Sequence, residues 1–389
     1  MKQLFITIAL VMVCHALLAQ KGQVTKAVTY KDSGELEKAL GCIQSATDPA
    51  NEKSAKSVSW PRTWQVQGEI YQAIYKSADK KYGTLSSDPL TDAFDSYKKA
   101  VELDIKNRYG KSLKVNLVLL VNDLQSDAIN AYNDSVYNKA LTRFEQILEI
   151  NEMPVVKDDK DALVDTAIVY NCGLAAMNAR QHDKAIHYLE RAAELGYNEE
   201  TALIWIANAY ESEQDTVKAL ETLQKALLKY QNDERIMNSM IQILLNLNRR
   251  DEAIQYLDIA ITQKPDNIDY YLTKGDLYNK IDDEENAIKL YEEALKVDSV
   301  NFIALYNLGV IYYNRGVKQV ELAADVPVND QEAYKSFIKK SEIWWGKSLP
   351  YMEKCYLINP NDEVIRESLK NVYYRLKMMD KYKEIQNKL

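Results

Sequence analysis

The chain has 389 residues, enough for two or three compact domains or for one elongated array of small repeated units. Glycine and proline are scarce, at 12 and 8 residues, and alanine, leucine, lysine and glutamate recur throughout, as in a helical protein. The 49 basic residues are outnumbered by 57 acidic ones, and the net charge of −8 comes without a basic stripe, which argues against nucleic acid as a partner.

The first nineteen residues have the pattern of a secretory signal. Lys2 precedes an apolar run that extends to Leu18, and the small residue Ala19 follows. We therefore predict a signal peptide at 1–19 and export to the periplasm or cell envelope. Two alternatives stay open. In the first, the apolar run is retained as a membrane anchor, although it is shorter than a membrane span usually needs. In the second, Cys14 is acylated, although no small residue precedes it.

Residues 20–165 show degenerate copies of a helix-pair pattern, in which small and bulky apolar residues share one helix face. The marker residues are Ala39, Ile43 and Ala46, then Gly68, Tyr71, Ala93, Tyr97 and Ala100, then Ala128, Ala131, Ala140 and Phe144. Beyond the signal, the three cysteines Cys42, Cys172 and Cys355 form an odd and widely spaced set. This spacing argues against a disulfide framework and favours small apolar core residues.

Residues 166–301 repeat with a period of 34, and such a period determines the architecture. One ladder is Ala185, Ala219, Ala253 and Ala287, and a second is Ala192, Ala226, Ala260 and Ala294. An upstream stripe has a small residue at Gly173, Ala207, Gly275 and Gly309. The period predicts four regular helix pairs, at 166–199, 200–233, 234–267 and 268–301. Ile241 occupies the small-residue position of the third pair, which predicts looser packing there.

After residue 301 the pattern continues with an interruption. Residues 302–362 are predicted to form one more helix pair, with a long insertion at 317–347, and insertions of this length usually have a function. The insertion ends with Trp344 and Trp345, which point about 100° apart on a helix. Either one ring packs on the repeats while the other covers the insertion's own apolar residues, or one ring is an exposed anchor for a partner. Residues 363–389 are predicted to form a polar capping helix or helix pair.

This pattern resembles the tetratricopeptide repeat family, in which a small residue and an aromatic one mark the first helix of each pair and two alanines mark the second. The best unit is 268–301, with Gly275, Tyr278, Ala287, Tyr291 and Ala294. The resemblance implies an all-α fold, a right-handed superhelical solenoid of stacked antiparallel helix pairs.

The resemblance also implies a concave groove, lined by exposed positions of the first helix in each pair. These positions are Tyr170, Leu174, Met177, Asn178, Ile204, Asn208, Glu211, Arg235, Asn238, Gln242, Asn246, Asp269, Leu272, Asp276, Asn279, Tyr306, Val310, Tyr313 and Asn314. Amides and aromatic rings dominate this set and suit peptide recognition, although any one of them is more simply a solvated helix position. Members of the family that grip a terminal carboxylate use Lys and Arg at groove positions that here hold Tyr170, Ile204, Ser239 and Asp269, so a carboxylate clamp is not expected.

The residues offer no recognisable catalytic, cofactor or metal site. His182 and His187 are separated by about 140° on a helix, which disfavours a shared metal ion. The sequence lacks a zinc-protease motif, a phosphate-binding glycine loop and a nucleophile elbow. We therefore expect no enzyme activity and no cofactor.

Four short motifs are similar to the Asp-Ser/Thr-apolar acceptor for O-glycosylation of exported Bacteroidetes proteins. Their hydroxyl residues are Ser135, Thr166, Thr216 and Ser299, all at predicted turns or repeat junctions. The same residue types cap helices and form turns, so this structural role is the alternative.

Together these patterns predict a non-catalytic scaffold in the periplasm or cell envelope that binds a protein or peptide in the concave groove. No transmembrane span is expected after signal cleavage. The alternative from a different class is a glycan- or nutrient-binding accessory of an outer-membrane uptake system, because some such receptors carry these repeats.

Overall fold

The computed structural model of the protein describes residues 22–51, 54, 56–157 and 165–387, and the regular elements in these ranges are all helical. The all-α prediction is therefore confirmed. The predicted signal peptide at 1–19 lies outside the described residues. Among the helices of the described ranges, none combines the length and the hydrophobicity needed to cross a bilayer.

The first nine helices of the described chain are α1 (22–32), α2 (Leu36–Thr47), α3 (Pro61–Lys76), α4 (Pro89–Leu103), α5 (Gly110–Asn133), α6 (Tyr137–Glu152), α7 (Thr166–Asn178), α8 (His182–Glu194) and α9 (Glu199–Ser212). The others are α10 (Thr216–Lys229), α11 (Glu234–Asn246), α12 (Arg250–Gln263), α13 (Ile268–Lys280), α14 (Glu284–Val297), α15 (Phe302–Ala324), α16 (Gln331–Ile358), α17 (Glu363–Arg375) and α18 (Met379–Gln386). A 3-10 turn at Lys80–Thr84 lies between α3 and α4. Short turns join the helices from α7 onward, and longer connections follow α2, α3 and α6.

The chain divides into two compact units within α10, the first ending at Thr222 and the second beginning at Leu223. In the N-terminal unit α3 packs on α4, α5 on α6 and α7 on α8. In the C-terminal unit α11 packs on α12, α13 on α14, α15 on α16 and α17 on α18. Each unit is therefore a stack of antiparallel helix pairs, as predicted.

The alanine ladders lie in the tightest part of the packing. All eight alanines are buried. The small-residue position allows the close approach of the paired helix, because a Cβ added to Gly173 would lie 2.6 Å from Cγ of Leu189. Helix α11, which carries Ile241 at this position, packs less closely on α12 than α7 packs on α8. The looser packing predicted for this pair is thus observed.

The turns inside the regular pairs share one backbone conformation. Arg180, Gln214, Asn248 and Asp282, each 34 residues apart, all have positive φ values between 56° and 64°. In each turn the next residue donates its N–H to the carbonyl five residues earlier, as from Gln181 to Ala176 at 2.9 Å. This bond satisfies a carbonyl at the end of the first helix and closes it in the manner of a Schellman motif, without glycine.

The insertion expected at 317–347 is mostly helical in the structure, with a short connection at 325–330. Helix α15 continues through Gly316, 34 residues after Asp282, and α16 begins at Gln331. Most of the segment therefore lengthens the two helices of one pair. The absence of a side chain at Gly316 permits this, because a Cβ there would lie 2.3 Å from Nε1 of Trp345 on the opposite helix.

Candidate functional site

The fully exposed residues of α5 from Ser112 to Asn133 are all uncharged, whereas Lys111 is exposed at the start of the helix and Lys114 is half-buried. The uncharged exposed residues are Ser112, Val115, Val118, Leu119, Asn122, Gln125, Ser126, Ile129, Asn130 and Asn133. Val115 is 58% exposed and Leu119 and Ile129 are each 47% exposed. In a chain with 27% charged residues, a solvated helix face normally carries several charges. This face therefore differs from an ordinary solvated surface.

The face is uncharged because the carboxylates of α5 point inward. Asp123 accepts a hydrogen bond from Nε2 of Gln72 at 2.5 Å and forms an ion pair with Lys76 at 2.9 Å. Asp127 is buried and accepts a hydrogen bond from Nε of Arg143 at 2.8 Å. Both acids thus find partners on neighbouring helices and leave amides and aliphatic side chains at the surface.

Arg143 holds α5 in place against α4 and α6. Its side chain is 3% exposed, and besides Asp127 it donates to Oδ1 of Asp88 at 2.5 Å and to Oγ1 of Thr91 at 2.8 Å. Burial alone would raise the pKa of Asp88, but the hydrogen bond and charge of Arg143 lower it below its ordinary value. The carboxylate at the N-terminus of α4 is therefore kept charged and paired.

Helix α7 continues the uncharged surface beside α5. No residue of Thr166–Asn178 is charged, and Nδ2 of Asn178 donates to the Tyr132 hydroxyl of α5 at 3.0 Å. Burial raises the pKa of Tyr132, so its phenol stays neutral. Between the helices lies a hollow of about 130 Å³, lined by Ile129, Tyr132, Asn133, Phe144, Asn171 and Leu174. The surface on α5 and α7 is thus continuous, uncharged and partly concave.

The predicted groove residues of the N-terminal unit mostly retain accessible surface. Leu174, Met177, Ile204, Asn208 and Glu211 are half-buried and Asn178 is exposed. The predicted exposure of Tyr170 is wrong, because this residue is only 8% exposed and its ring packs on that of Tyr197, with 5.6 Å between ring centroids. Leu174 and Asn178 are the predicted residues that the structure places directly beside α5.

In the C-terminal unit the predicted residues separate into exposed and covered sets. The exposed ones are Arg235, Asn238, Gln242 and Asn246 along α11, Asp269 on α13 and Asn314 on α15, while Asp276 and Asn279 are half-buried. The predicted exposure of Leu272 is also wrong, because this residue is buried in the core. Tyr306, Val310 and Tyr313 are half-buried and pack against apolar residues of α16, α17 and α18.

The two tryptophans of α16 both pack on α15. Trp345 is 4% exposed, and its indole N–H donates to the carbonyl of Tyr313 at 3.2 Å. Trp344 is half-buried and stacks on Tyr312 with 6.0 Å between ring centroids, and the ammonium of Lys347 lies 4.5 Å from its ring centroid. Trp345 is thus a core residue, and only Trp344 keeps surface that a partner could contact.

The four predicted glycosylation residues differ in accessibility. Ser135 and Ser299 are exposed, whereas Thr166 and Thr216 are half-buried at the starts of α7 and α10. The aspartates that precede the two threonines accept backbone N–H bonds from the first turn of their helices at 3.1 Å. Helix capping therefore accounts for these two aspartates, and modification of any of the four hydroxyl residues stays a prediction.

The reactive residue types are dispersed within the described ranges. No group of three or more His, Cys, Asp or Glu side chains in these ranges converges as metal ligands would. Cys172 and Cys355 are buried, Cys42 is half-buried, and all three are free thiols. Burial raises the pKa of Cys355 to about 11, as expected for a core thiol.

Sequence reasoning missed the contribution of α5 to this surface. The signal was present, because 110–133 carries aliphatic residues on more than one helix face. Leu113, Leu117, Leu120 and Leu124 form the buried row, while Val115, Val118, Leu119 and Ile129 lie outside it. Such a surplus of apolar residues indicates a second contact surface on the helix.

Comparison with family models identifies the repeats. Residues 170–234 and 238–295 match the model described as tetratricopeptide repeat, and residues 275–316 match the model described as TPR repeat. A TPR repeat-containing protein of Methanocaldococcus jannaschii is 31% identical over 102 residues, which are 26% of this chain and 18% of the relative. BBSome complex member BBS4 of Bos taurus is 24% identical over 236 residues, 60% of this chain and 40% of the relative.

The chain is also similar, at low identity, to solved structures. A TPR repeats protein from Bacteroides fragilis is 22% identical with a TM-score of 0.32, covering 65% of this chain and 98% of that one. YrrB, described as a TPR protein with an unusual peptide-binding site, is 19% identical with a TM-score of 0.34, covering 55% of this chain and 97% of its own. The chain spans less than half the length of the two curated relatives named above.

Proposed function

This chain is a tetratricopeptide repeat protein, and we propose that it is a non-catalytic scaffold that holds an uncharged polypeptide segment on the surface formed by α5 and α7. Tetratricopeptide repeat proteins generally mediate protein–protein interactions. The observation that carries the proposal is the unbroken run of uncharged exposed residues on α5, next to a helix that contains no charge at all.

The chemistry of this surface selects for uncharged segments. A charged side chain laid against it would lose water without gaining a partner, which is costly. Amides such as Asn122, Gln125 and Asn130 offer both donors and acceptors to a polypeptide backbone. Aliphatic side chains between them offer apolar area for alternate side chains of the segment.

The magnitudes indicate that apolar contact alone is insufficient. Completing the burial of Val115, Val118, Leu119 and Ile129, each about half exposed, contributes about 1 kcal/mol per side chain. About 4 kcal/mol corresponds to a dissociation constant of only about 1 mM. Hydrogen bonds from the amides must add to this, so the proposal predicts moderate affinity and dependence on both kinds of residue.

The test compares co-purification from the native envelope for three forms of the chain. The double variant Leu119→Lys, Ile129→Lys places two charges on the surface, at positions exposed enough to leave the fold intact. The control Val217→Lys changes an aliphatic residue of the same unit, 65% exposed, on α10. We expect the wild type and the control to retain the same protein partner and the double variant to lose it.

Two results would contradict the proposal. Retention of the partner by the double variant would show that the surface on α5 and α7 is not the binding site. Recovery of glycan without any protein would instead favour the uptake-system alternative.

We further propose that the protein acts in the periplasm or cell envelope after removal of residues 1–19. The support is the charged start and apolar run of this segment. Mass spectrometry of protein from the native host should find Gln20 or a near neighbour as the first residue. An intact Met1, or a lipid on Cys14, would contradict this.

A further inference from the structure

A cleft of about 510 Å³ opens in the C-terminal unit between α10, α11 and α12. Its lining residues are Gln224, Leu227, Leu228, Gln231, Met237, Tyr256, Ile259 and Gln263. None of these side chains is charged. The volume lies in the range of protein sites that enclose ligands, and the lining combines apolar walls with a few amides, as such sites do.

Ile259 departs from the chemistry of its repeat position. The 34-residue period places Arg191, Lys225 and Glu293 at the equivalent positions of the other regular pairs. A charge is usual there because the position faces solvent, and Ile259 is itself 45% exposed. Burial within the fold therefore does not explain an aliphatic residue at this position.

Leu228 shows the same departure on the facing helix. Its equivalents in the other regular pairs are Glu194, Thr262 and Lys296, yet Leu228 is 77% exposed. Two polar positions have thus become aliphatic on opposite walls of one cleft. Exposed single aliphatic residues are common, but two that face the same cleft indicate a contact surface.

Helix α11, which contributes Met237 to the cleft, packs less closely on α12 than α7 packs on α8. Ile241 is buried at the position where Gly173 and Gly275 allow their paired helices to approach. Its larger side chain keeps α12 farther from α11, and α12 carries Tyr256 and Ile259 into the cleft wall.

The shape and charge of the cleft define its occupant. One wall is formed by Gln224 and Leu228 of α10 together with Gln231 in the turn after this helix. The other wall is formed by Tyr256, Ile259 and Gln263 of α12. The row on α12 extends about 10 Å from Tyr256 to Gln263, which is the length of two turns of a helix laid along this wall. Because the lining is uncharged, it complements an apolar face, and the amides at its ends can pair with polar groups at the margin of that face.

We propose that this cleft is a second docking site, separate from the surface on α5 and α7, which binds the apolar face of an amphipathic helix from a partner protein. The site does not depend on the proposed function, because its residues all lie in the C-terminal unit.

The experiment uses the full chain and a labelled helical peptide of about fourteen residues, with leucines at i, i+3, i+4 and i+7 and with glutamine, serine and alanine elsewhere. A second peptide has the same composition in shuffled order, so that it has no apolar face. Binding is measured by fluorescence anisotropy. We expect saturable binding of the patterned peptide and at least tenfold weaker binding of the shuffled one.

The repeat itself supplies the variants. Leu228→Lys and Ile259→Glu introduce the residues that the pair at 268–301 carries at the equivalent positions, Lys296 and Glu293, so the fold should tolerate them. The control is Val300→Glu, because this valine is 64% exposed and does not line the cleft. We expect the double variant to bind the patterned peptide at least tenfold more weakly, and the control to bind it as the wild type does, with unchanged melting temperatures for both.

Three results would overturn the proposal. The first is equal binding of both peptides, and the second is equal binding by the wild type and the double variant. The third is a wild-type dimer in light scattering that the double variant dissociates, since a second copy of the chain would then cover the cleft. The variant Leu119→Lys, Ile129→Lys should bind the patterned peptide normally, which separates this site from the surface on α5 and α7.

Discussion

Replacing Arg143 with methionine should destabilise the N-terminal unit more than any other single change to its polar residues. The guanidinium is almost completely buried and ties α6 to Asp127 on α5 and to Asp88 at the start of α4. Methionine retains much of the side-chain volume but leaves both carboxylates without their shared cation. The surface on α5 depends on this contact, since Arg143 fixes the helix that presents it.

The expected loss follows from how exposed each carboxylate is. Breaking a buried ion pair by removing one partner costs about 3 to 5 kcal/mol. Asp88 is 42% exposed and can be hydrated, and Asp127, at 12%, keeps an ion pair with Lys139 at 2.9 Å. We therefore expect a loss near the lower end of the range, about 3 kcal/mol.

The assay must report on the N-terminal unit separately from the other unit. Hydrogen exchange of amides in α4, α5 and α6 at increasing urea concentrations gives the free energy of opening for this region. A double-mutant cycle adds Asp127→Leu alone and together with Arg143→Met. Since the double variant removes both charges, it should lose about 2 kcal/mol less than the sum of the single losses.

The contribution of Arg143 to stability should also depend on pH. Despite the opposing effect of burial, Arg143 lowers the pKa of Asp88 in the folded state, so the charged carboxylate stabilises the fold above its ordinary pKa. This contribution is lost as the pH falls through the lowered folded-state pKa. In Arg143→Met the cause of the lowering is absent, and the loss of stability below about pH 4 should be smaller.

The reasoning would be refuted by a loss under about 1 kcal/mol in Arg143→Met, which is the size expected of a surface pair. Additive losses in the cycle, or an unchanged acid dependence, would show that the three residues do not act as one network.

Three further predictions concern the packing. Gly173→Ala should lower stability in thermal unfolding by about 1 to 3 kcal/mol, because the added Cβ would overlap the paired helix. Gly346→Ala should raise stability by about 0.5 to 1 kcal/mol, because no atom lies within 4 Å of its Cβ and alanine favours a helix. Equal effects of the two variants would contradict the packing described for Gly173. Trp345→Ala should lower stability by about 3 to 5 kcal/mol, and a near-normal melting temperature would show that the ring is not in the core. Cys172 and Cys355 should resist thiol reagents until urea unfolds the chain, because burial raises the pKa of both thiols; rapid native-state labelling would argue against this.

The period of 34 was sufficient to predict the helix pairs of 166–301. Each pair needs a small residue where two helices approach, and this need recurs at a fixed spacing. The contacts that meet it, such as Gly173 against Leu189, join residues within one pair, so they are visible in a short stretch of sequence. Ile241 could be singled out in the same way, because it interrupts a ladder that the neighbouring units define.

The end of α15 was not predictable from the same pattern. The repeat pattern placed the start of an insertion after residue 316, and glycine at 316 suits a turn as well as a helix. The outcome depends on Trp345, which lies 29 residues farther along and packs against the glycine. Conversely, the turns at Arg180 and Asn248 adopt positive φ without glycine, because the paired helices on both sides constrain them.

The surface on α5 and α7 was likewise predictable only in part from the sequence. The sequence indicated that the first helices carry amides and aliphatic residues, but it gave no way to tell which charges of α5 would be exposed. Asp123 and Asp127 turn inward because their partners lie on other helices, Lys76 on α3 and Arg143 on α6. The periodicity of the sequence therefore determined the helix pairs. Only the tertiary packing decided which charged side chains form ion pairs in the interior and which helix face stays uncharged. The reason is that ion pairs between helices depend on distances in space that the sequence pattern does not contain.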